Sequence, residues 1–65
     1  MNLGKAIRIA IINKGIKQRE LAEKMGVSAV FISRMCNQPN VGINTLIKVA
    51  SALDMKVSEL VKLGE

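Results

Sequence analysis

The spacing of apolar residues is the feature that most constrains the fold of this chain. Leu3, Ile7, Ala10 and Ile11 recur at three- and four-residue intervals and fall on one face of a helix, which Gly15 would end. Helical spacing returns in four further segments, and no alternation of apolar and polar residues lasts long enough to predict a strand. The sequence therefore predicts an all-α fold of five short helices.

Residues that favour turns set the limits of these helices. Gly26 ends the second helix, and Ser28 is the predicted N-cap of the third. Pro39 cannot continue a helix and marks a polar connector. Asp54 follows the fourth helix at a position that tolerates the left-handed conformation, and Ser58 is predicted to cap the last helix. The predicted ranges are 3–14, 18–25, about 28–37, 43–53, and a short final helix containing Leu60, Val61 and Leu63.

The first and fourth predicted helices differ in their apolar faces. The fourth has the clearest period, and its predicted inward face consists of Ile43, Leu46, Ile47, Val49, Ala50 and Leu53. In the first helix, Ile9 and Ile12 fall off the inward face, so that this helix is apolar nearly all round. We expect either a second covered surface or part of a self-association patch there.

Composition limits what so short a chain can do. Its 65 residues form one domain at most, and its single Cys cannot form an internal disulfide. The chain has no His, which removes the commonest general base and leaves too few ligands for zinc. It shows neither a Gly-rich phosphate loop nor an apolar run long enough to span a bilayer. We therefore expect no enzyme activity, cofactor, metal, small-molecule ligand or membrane partner, and a reduced cytosolic compartment.

The net charge of +5 indicates an anionic partner, and nucleic acid is the first candidate. The charges are also segregated. Lys14, Lys17, Arg19 and Arg34 lie on or beside residues 18–34, whereas most acids lie behind or beyond that segment. Those acids are Glu23, Asp54, Glu59 and Glu65.

Residues 18–34 follow the helix-turn-helix plan, in which a short helix, a sharp turn and a second helix succeed one another. Ala22 is small where the two helices cross, and Gly26 can take the positive φ of a tight turn. Leu21, Val27 and Ile32 are predicted to form the wedge that fixes the crossing angle. The residues left facing outward from the second of these helices are Ser28, Ala29, Val30, Ser33 and Arg34.

Several short fragments, distinctive in their order and spacing, carry a family resemblance across nearly the whole chain. They are Leu3-Gly4, Gln18-x-x-Leu21-Ala22, Gly26-Val27-Ser28, Ile32-Ser33-Arg34, Thr45-Leu46 and Val49-Ala50-x-Ala52-Leu53. In this arrangement the chain resembles the Cro/repressor-type, XRE-like regulators, most of all the small Cro-like proteins of phages and prophages. The resemblance implies a lambda-repressor-like domain of five helices over residues 1–65. It also implies a regulator that binds operator DNA as a two-fold dimer in the cytoplasm of a bacterial or phage-infected cell, with the second and third helices reading the DNA. Two such helices in successive major grooves call for an approximately palindromic operator, and binding over a promoter would repress transcription by blocking polymerase.

The resemblance places the first base-reading side chains at Ala29 and Val30 of the third helix. Ser33 and Arg34 lie one turn further and can reach into the groove or back to its rim, so that base readout is predicted for all four residues. Neither Ala29 nor Val30 can form a hydrogen bond with a base edge, so we expect contacts with thymine methyl groups there. Arg34 either pairs with guanine O6 and N7 or holds a phosphate. Phe31, the only aromatic residue, either packs in the core or at the groove rim, or contacts a sugar or a thymine methyl group.

Phosphate contacts are expected at two places. Gln18, at the start of the second helix, resembles the family's phosphate clamp, and the alternative is an exposed cap residue. Ser28 either caps the third helix alone or also touches a phosphate. The connector resembles a second clamp, although connectors are usually polar. The predicted phosphate-contacting residues are Lys17, Gln18, Arg19, Ser28, Asn37, Gln38, Asn40, Asn44 and Thr45.

The chain departs from the family's pattern at one pair of positions. Relatives often carry an Arg late in the first helix and a Glu late in the third, and Ile11 and Cys36 occupy the matching positions here. Replacing both members of a buried ion pair with apolar groups is often neutral or stabilising, whereas losing one member strands a charge. Cys36 is therefore predicted to pack in the core rather than to act as a nucleophile or redox sensor.

The last helix is predicted to supply a dimer surface, because a chain this short need not spend so many apolar residues on a closed core. The predicted interface residues are Val57, Leu60, Val61 and Leu63. Dimerisation is expected to be weak until DNA completes it. The main alternative function is that of an antitoxin-type protein-interaction module of the same fold. The N-terminal domain of a longer repressor is a further alternative.

Overall fold

A computed structural model describes residues 2–65 of the chain. It contains five helices: α1 Leu3–Lys14, α2 Gln18–Met25, α3 Ala29–Cys36, α4 Ile43–Ala52 and α5 Val57–Lys62. No strand occurs within the described residues. The predicted all-α architecture is therefore confirmed, and the boundaries of the first two helices agree with the prediction.

Left-handed residues end α1 and α2, as their glycines predicted. Gly15 has φ 69° and its N–H donates to the last carbonyls of α1, while Gly26 has φ 70° and does the same for α2. A side chain at either position would strain the backbone. Asp54 also adopts positive φ, at 55°, as predicted. These three residues turn the chain where α1, α2 and α4 end.

Side-chain caps begin α1 and α3. The Asn2 Oδ1 accepts the Lys5 N–H at 2.9 Å, and the Ser28 Oγ accepts the Phe31 N–H at 3.1 Å, which confirms Ser28 as the N-cap of α3. The prediction for α5 was wrong. Lys56, not Ser58, is the residue before that helix, and its N–H donates to the Glu59 Oε1 at 3.1 Å.

The core lies where α1 packs on α3 and α5, and where α2 packs on α3 and α4. Every residue buried in it is apolar among the side chains the structure describes. Its members are Ala6, Ile7, Ala10, Ile11, Leu21, Ala22, Ile32, Met35, Cys36, Leu46, Val49, Ala50, Leu53 and Leu60. The burial of both Ile11 and Cys36 confirms their predicted packing in the core.

Three residues predicted to face inward are exposed. Ile43 is 61% exposed and Ile47 50%, because the inner stripe of α4 is narrow and is filled by Leu46, Val49, Ala50 and Leu53. Val27 is 36% exposed, so Leu21 and Ile32 form the buried part of the α2–α3 wedge without it. On α1, Ile12 is exposed and Ile9 half-buried. The helix α4 thus shows more apolar surface than its periodicity predicted, whereas the exposure of Ile12 agrees with its predicted place off the inward face of α1.

The start of α1 lies against the chain that follows α3. The Leu3 N–H donates to the Pro39 carbonyl at 2.8 Å, and the Gly4 N–H donates to the Gln38 carbonyl at 3.0 Å. A Cβ at Gly4 would overlap with the Gln38 carbonyl oxygen and come within 2.7 Å of that of Met35. Only glycine fits this approach, which uses two free N–H groups of α1 to hold the connector.

Candidate nucleic-acid interface

The outer face of α3 carries the side chains that sequence analysis assigned to base readout. Ala29, Val30, Ser33 and Arg34 are all exposed, and Val30 is 62% exposed despite being apolar. The opposite face of the helix is anchored by the buried Ile32, Met35 and Cys36. The eight-residue helix therefore presents one free face along its length.

Phe31 is exposed to 44% and extends this face toward the connector. Packing of Phe31 in the core is therefore excluded. The alternatives that remain are packing at the groove rim and contact with a ligand. An exposed aromatic side chain next to a cationic one is typical of nucleic-acid surfaces, where its ring can pack on a sugar or a thymine methyl group.

An open groove of about 310 Å³ lies between α3, the connector and the start of α4. It brings together four residues that are separated in sequence and that were assigned to DNA contact. Arg34 comes from α3, Gln38 and Asn40 from the connector, and Thr45 from α4. Each can donate a hydrogen bond, so the groove is suited to an anionic group or a base edge.

The N-termini of α2 and α4 both leave backbone donors free. In α2 the first intrahelical bond runs from the Leu21 N–H to the Lys17 carbonyl at 3.2 Å, and in α4 from the Leu46 N–H to the Gly42 carbonyl at 3.0 Å. The three N–H groups before each bond have no partner within their helix. Of the predicted phosphate-contacting side chains here, Lys17, Arg19 and Asn44 are exposed, and Gln18 and Thr45 are half-buried.

Ser28 performs the capping role, since its Oγ accepts the Phe31 N–H. Its hydroxyl hydrogen is still available to donate, and the side chain is exposed. A phosphate contact is therefore compatible with the cap.

Asn37 differs from the other predicted phosphate contacts, because both ends of its amide are used within the domain. Its Oδ1 accepts from the Arg8 Nη2 at 2.8 Å, and its Nδ2 donates to the Ser33 carbonyl at 2.9 Å. The same Arg8 Nη2 donates to the Cys36 carbonyl at 3.2 Å. Asn37 is thus a structural residue at the end of α3, and a phosphate could use only its second Nδ2 hydrogen.

Arg8 was not among the residues predicted from the sequence. The available signal was its position one turn after Gly4, which places both residues on the same face of α1. That position indicates a contact with Cys36 only once α1 is known to lie against the end of α3. The distance of 28 residues between Arg8 and Cys36 hides the contact from local patterns.

The surroundings of Cys36 do not favour the reactive thiolate form. Burial raises the pKa of the Cys36 thiol above its usual value, and the positive charge of Arg8 offsets part of that rise. The thiol therefore stays neutral at physiological pH, as a core residue should. The described residues contain no group of three or more side chains suited to holding a metal.

The predicted dimer surface on α5 needs one correction. Leu60 is 0% exposed and belongs to the core, so it cannot contact a second protomer. Val57, Val61 and Leu63 are half-buried and keep some accessible surface. The burial of Leu60 follows from the contacts of α5 with both α1 and α4, which enclose its central residue.

The short helix α2, the turn at Gly26 and the exposed face of α3 define a helix-turn-helix DNA-binding domain. Residues 6–64 match a family model described as the Cro/C1-type helix-turn-helix DNA-binding domain. The chain belongs to that family, whose members are DNA-binding regulators. No curated protein and no solved structure gave a significant match. None of the helices formed by residues 2–65 has the length and apolar character needed to cross a membrane.

Proposed function

We propose that this protein represses transcription by binding a palindromic operator as a two-fold dimer, with α3 in the major groove. The observation that carries the proposal is the exposed face of α3 beside a groove of converging donors. Apolar Ala29 and Val30 lie at one end of that face, and Arg34 lies at the other. Such a surface can enter the major groove of DNA and carries side chains that can contact bases and phosphates.

Base readout in this proposal is weak at the start of α3 and polar at its end. Ala29 and Val30 contact thymine methyl groups, since they have no side-chain donor or acceptor. Ser33 lies one turn further and can donate to a base edge. Arg34 shares its groove with Gln38, Asn40 and Thr45, which supports a phosphate contact at the groove rim rather than a guanine pair.

Phosphates flank α3 on both sides. On one side, the free N–H groups of α2 and the side chains of Lys17, Gln18 and Arg19 hold the first phosphate. On the other side, the start of α4 and the connector hold the second. Ser28 adds its hydroxyl beside the first. This arrangement fixes the depth and angle of α3 in the groove without reading sequence.

The dimer places two copies of α3 in successive major grooves about 34 Å apart, which requires an approximately palindromic operator. Val57, Val61 and Leu63 are the proposed contacts, with Leu60 supporting them from the core. A charge of +5 on each protomer opposes association in free solution and is neutralised on DNA. The dimer is therefore weak until DNA binds, and occupancy of a promoter excludes polymerase.

Selection of bound duplexes from random-sequence DNA, followed by affinity measurements at several salt concentrations, tests the proposal. Two inverted half-sites one helical turn apart are the expected product. If a dimer neutralises roughly six to eight phosphates, log affinity falls with log salt with a slope of about −5 to −7. A slope shallower than about −2 contradicts duplex recognition, and a single protomer saturating one half-site contradicts the dimer.

Repression needs a separate measurement, because DNA binding alone does not show whether the protein lowers or raises transcription. Transcription in vitro from a promoter that overlaps a selected site should fall as protein occupies the site. A matched template with the site moved well upstream of the promoter should be unaffected. Increased transcription from the first template would contradict repression while leaving DNA binding intact.

A further inference from the structure

We propose that Arg8 is a positioning residue for DNA recognition, which holds the C-terminal end of α3 and the connector in place through Cys36 and Asn37. The part of this inference that concerns DNA binding rests on the proposed function. Its structural half concerns the free protein and can be tested without DNA.

The last four carbonyls of α3 show why Arg8 matters. A helix leaves its final four carbonyl groups without intrahelical partners, and each needs one from elsewhere. Arg34 and Met35 carbonyls accept from the backbone N–H groups of Asn37 and Gln38, at 3.1 and 3.2 Å. The Ser33 carbonyl accepts from the Asn37 side chain, and the Cys36 carbonyl accepts from Arg8. The two side chains thus complete the end of the helix.

Arg8 and Asn37 are also bonded to each other, so that they act as one unit. The Arg8 Nη2 uses its two hydrogens on the Cys36 carbonyl and the Asn37 Oδ1. The bond to Oδ1 holds the Asn37 amide in the orientation that lets its Nδ2 reach the Ser33 carbonyl. Loss of Arg8 therefore frees the Cys36 carbonyl directly and loosens the Ser33 bond indirectly.

The segment tied in this way carries a large part of the proposed interface. Arg34 lies between the two bonded carbonyls, and Gln38 and Asn40 follow immediately in the connector. All three line the groove beside α3. Arg8 itself lies on α1 and acts on this groove through the backbone of α3. Within residues 2–65, no other polar side chain of α1 forms a hydrogen bond with the end of α3.

The packing of Ile11 against the core leaves Arg8 to supply the polar link between α1 and α3. Ile11 and Cys36 are both buried and uncharged. Arg8 lies one turn earlier on α1, is exposed, and donates to the backbone carbonyl of Cys36. The chain therefore has directional bonding between α1 and α3 without a buried charge.

The decisive variant is Arg8→Met, which keeps a long apolar stem and removes the donors. With a duplex selected by the wild-type protein, we expect affinity to fall roughly tenfold, because charge-assisted hydrogen bonds at one helix end are lost. The salt slope should stay at the wild-type value, since Arg8 holds no phosphate. Arg8→Lys keeps charge and donors and should recover part of the affinity. Lys5→Met, an exposed residue of the same helix, controls for the lost charge.

A double-mutant cycle tests whether Arg8 acts through Asn37. Asn37→Ala should weaken binding about as much as Arg8→Met, and the double variant should lose about tenfold and not a hundredfold, because the two residues share one interaction. All affinities are measured well below the melting temperature of each variant, so that every chain is folded.

Three outcomes would overturn the inference. A salt slope reduced by about 0.9 per protomer in Arg8→Met would show that Arg8 contacts a phosphate directly. A lower melting temperature with unchanged affinity would show that its role is structural only. In the free protein, amide hydrogen exchange of residues 33–40 should accelerate selectively in Arg8→Met, and uniform or absent acceleration also contradicts the positioning role. If the wild type selects no DNA, the proposed function fails, while the exchange experiment still decides whether Arg8 holds the helix end.

Discussion

The two ends of α3 are built differently. Its N-terminal end is held by one side-chain cap, from Ser28, and by the turn at Gly26, while Ala29 and Val30 project freely. Its C-terminal end is held by the burial of Met35 and Cys36 and by hydrogen bonds from α1 and the connector. At the first end, we expect substitutions of Ala29 and Val30 to leave the fold unchanged. At the second end, the residues proposed for recognition depend on contacts that also hold the fold together.

Gly4→Ala is expected to have the largest effect, because it attacks the anchored end. Alanine raises helix propensity by about 1 kcal/mol, which alone would stabilise α1. Its Cβ would nevertheless overlap with the Gln38 carbonyl and approach that of Met35, both of them backbone atoms. We expect a loss of about 3 kcal/mol or more in the free energy of unfolding, measured by urea denaturation.

Gly42→Ala is the matched control for that substitution. Gly42 has φ −60°, an ordinary value for alanine, and a Cβ there meets no atom within 4 Å. Its unfolding free energy should stay within about 1 kcal/mol of the wild type. Equal losses in the two variants would mean that the contact of α1 with the connector does not constrain the fold.

Arg34→Ala tests the proposed DNA contact at the anchored end of α3 without removing the bonds that anchor it. Because Arg34 is exposed and its side chain lines the groove, the variant should fold normally and bind DNA roughly tenfold more weakly. If Arg34 holds a phosphate, affinity falls equally for all selected sequences, and the salt slope decreases by about 0.9 per protomer. If it reads guanine, preference at one base pair is relaxed instead. Selection repeated with the variant separates the two.

Ser28→Ala probes the lightly held end. Removing the oxygen that accepts the Phe31 N–H should cost about 1 kcal/mol of unfolding free energy. Ser51→Ala, an exposed serine within α4, should change it by less than about 0.5 kcal/mol. A loss for Ser28→Ala no larger than for Ser51→Ala would mean that the turn alone holds the start of α3.

The features that sequence analysis predicted correctly are local ones. Gly15, Gly26 and Ser28 determine helix ends through their own backbone or side-chain chemistry, and the helix-turn-helix follows from them. At α5 two local signals competed. Ser58 is a good cap residue, but Glu59 accepts the Lys56 N–H and the helix begins earlier. Local rules do not decide between such signals, because the outcome depends on how α5 meets the core.

The features that sequence analysis missed depend on contacts between distant residues. The apolar period of α4 predicts a stripe but not its width, so that Ile43 and Ile47 were wrongly placed inside. The hydrogen bonds from Arg8 reach Cys36 and Asn37, which lie 28 and 29 positions further along the chain, and no periodic pattern in the sequence indicates them. The start of α3 and the burial of Cys36 were therefore predictable, whereas the hydrogen bonds that anchor the end of α3 were not.

The smallest expected effect concerns Cys36 at the anchored end, and it appears in alkaline solution. The pKa of the folded thiol is raised from the ordinary 9.0 by burial, with Arg8 opposing the rise. A group whose pKa is higher in the folded state contributes stability below its unfolded pKa and loses it as pH rises through the folded value. The free energy of unfolding should therefore decline above about pH 9 more steeply in the wild type than in Cys36→Ala. Combining Arg8→Met with the native Cys36 removes the opposing charge and should steepen the decline, whereas parallel curves for all three proteins would show that Cys36 is not desolvated at the end of α3.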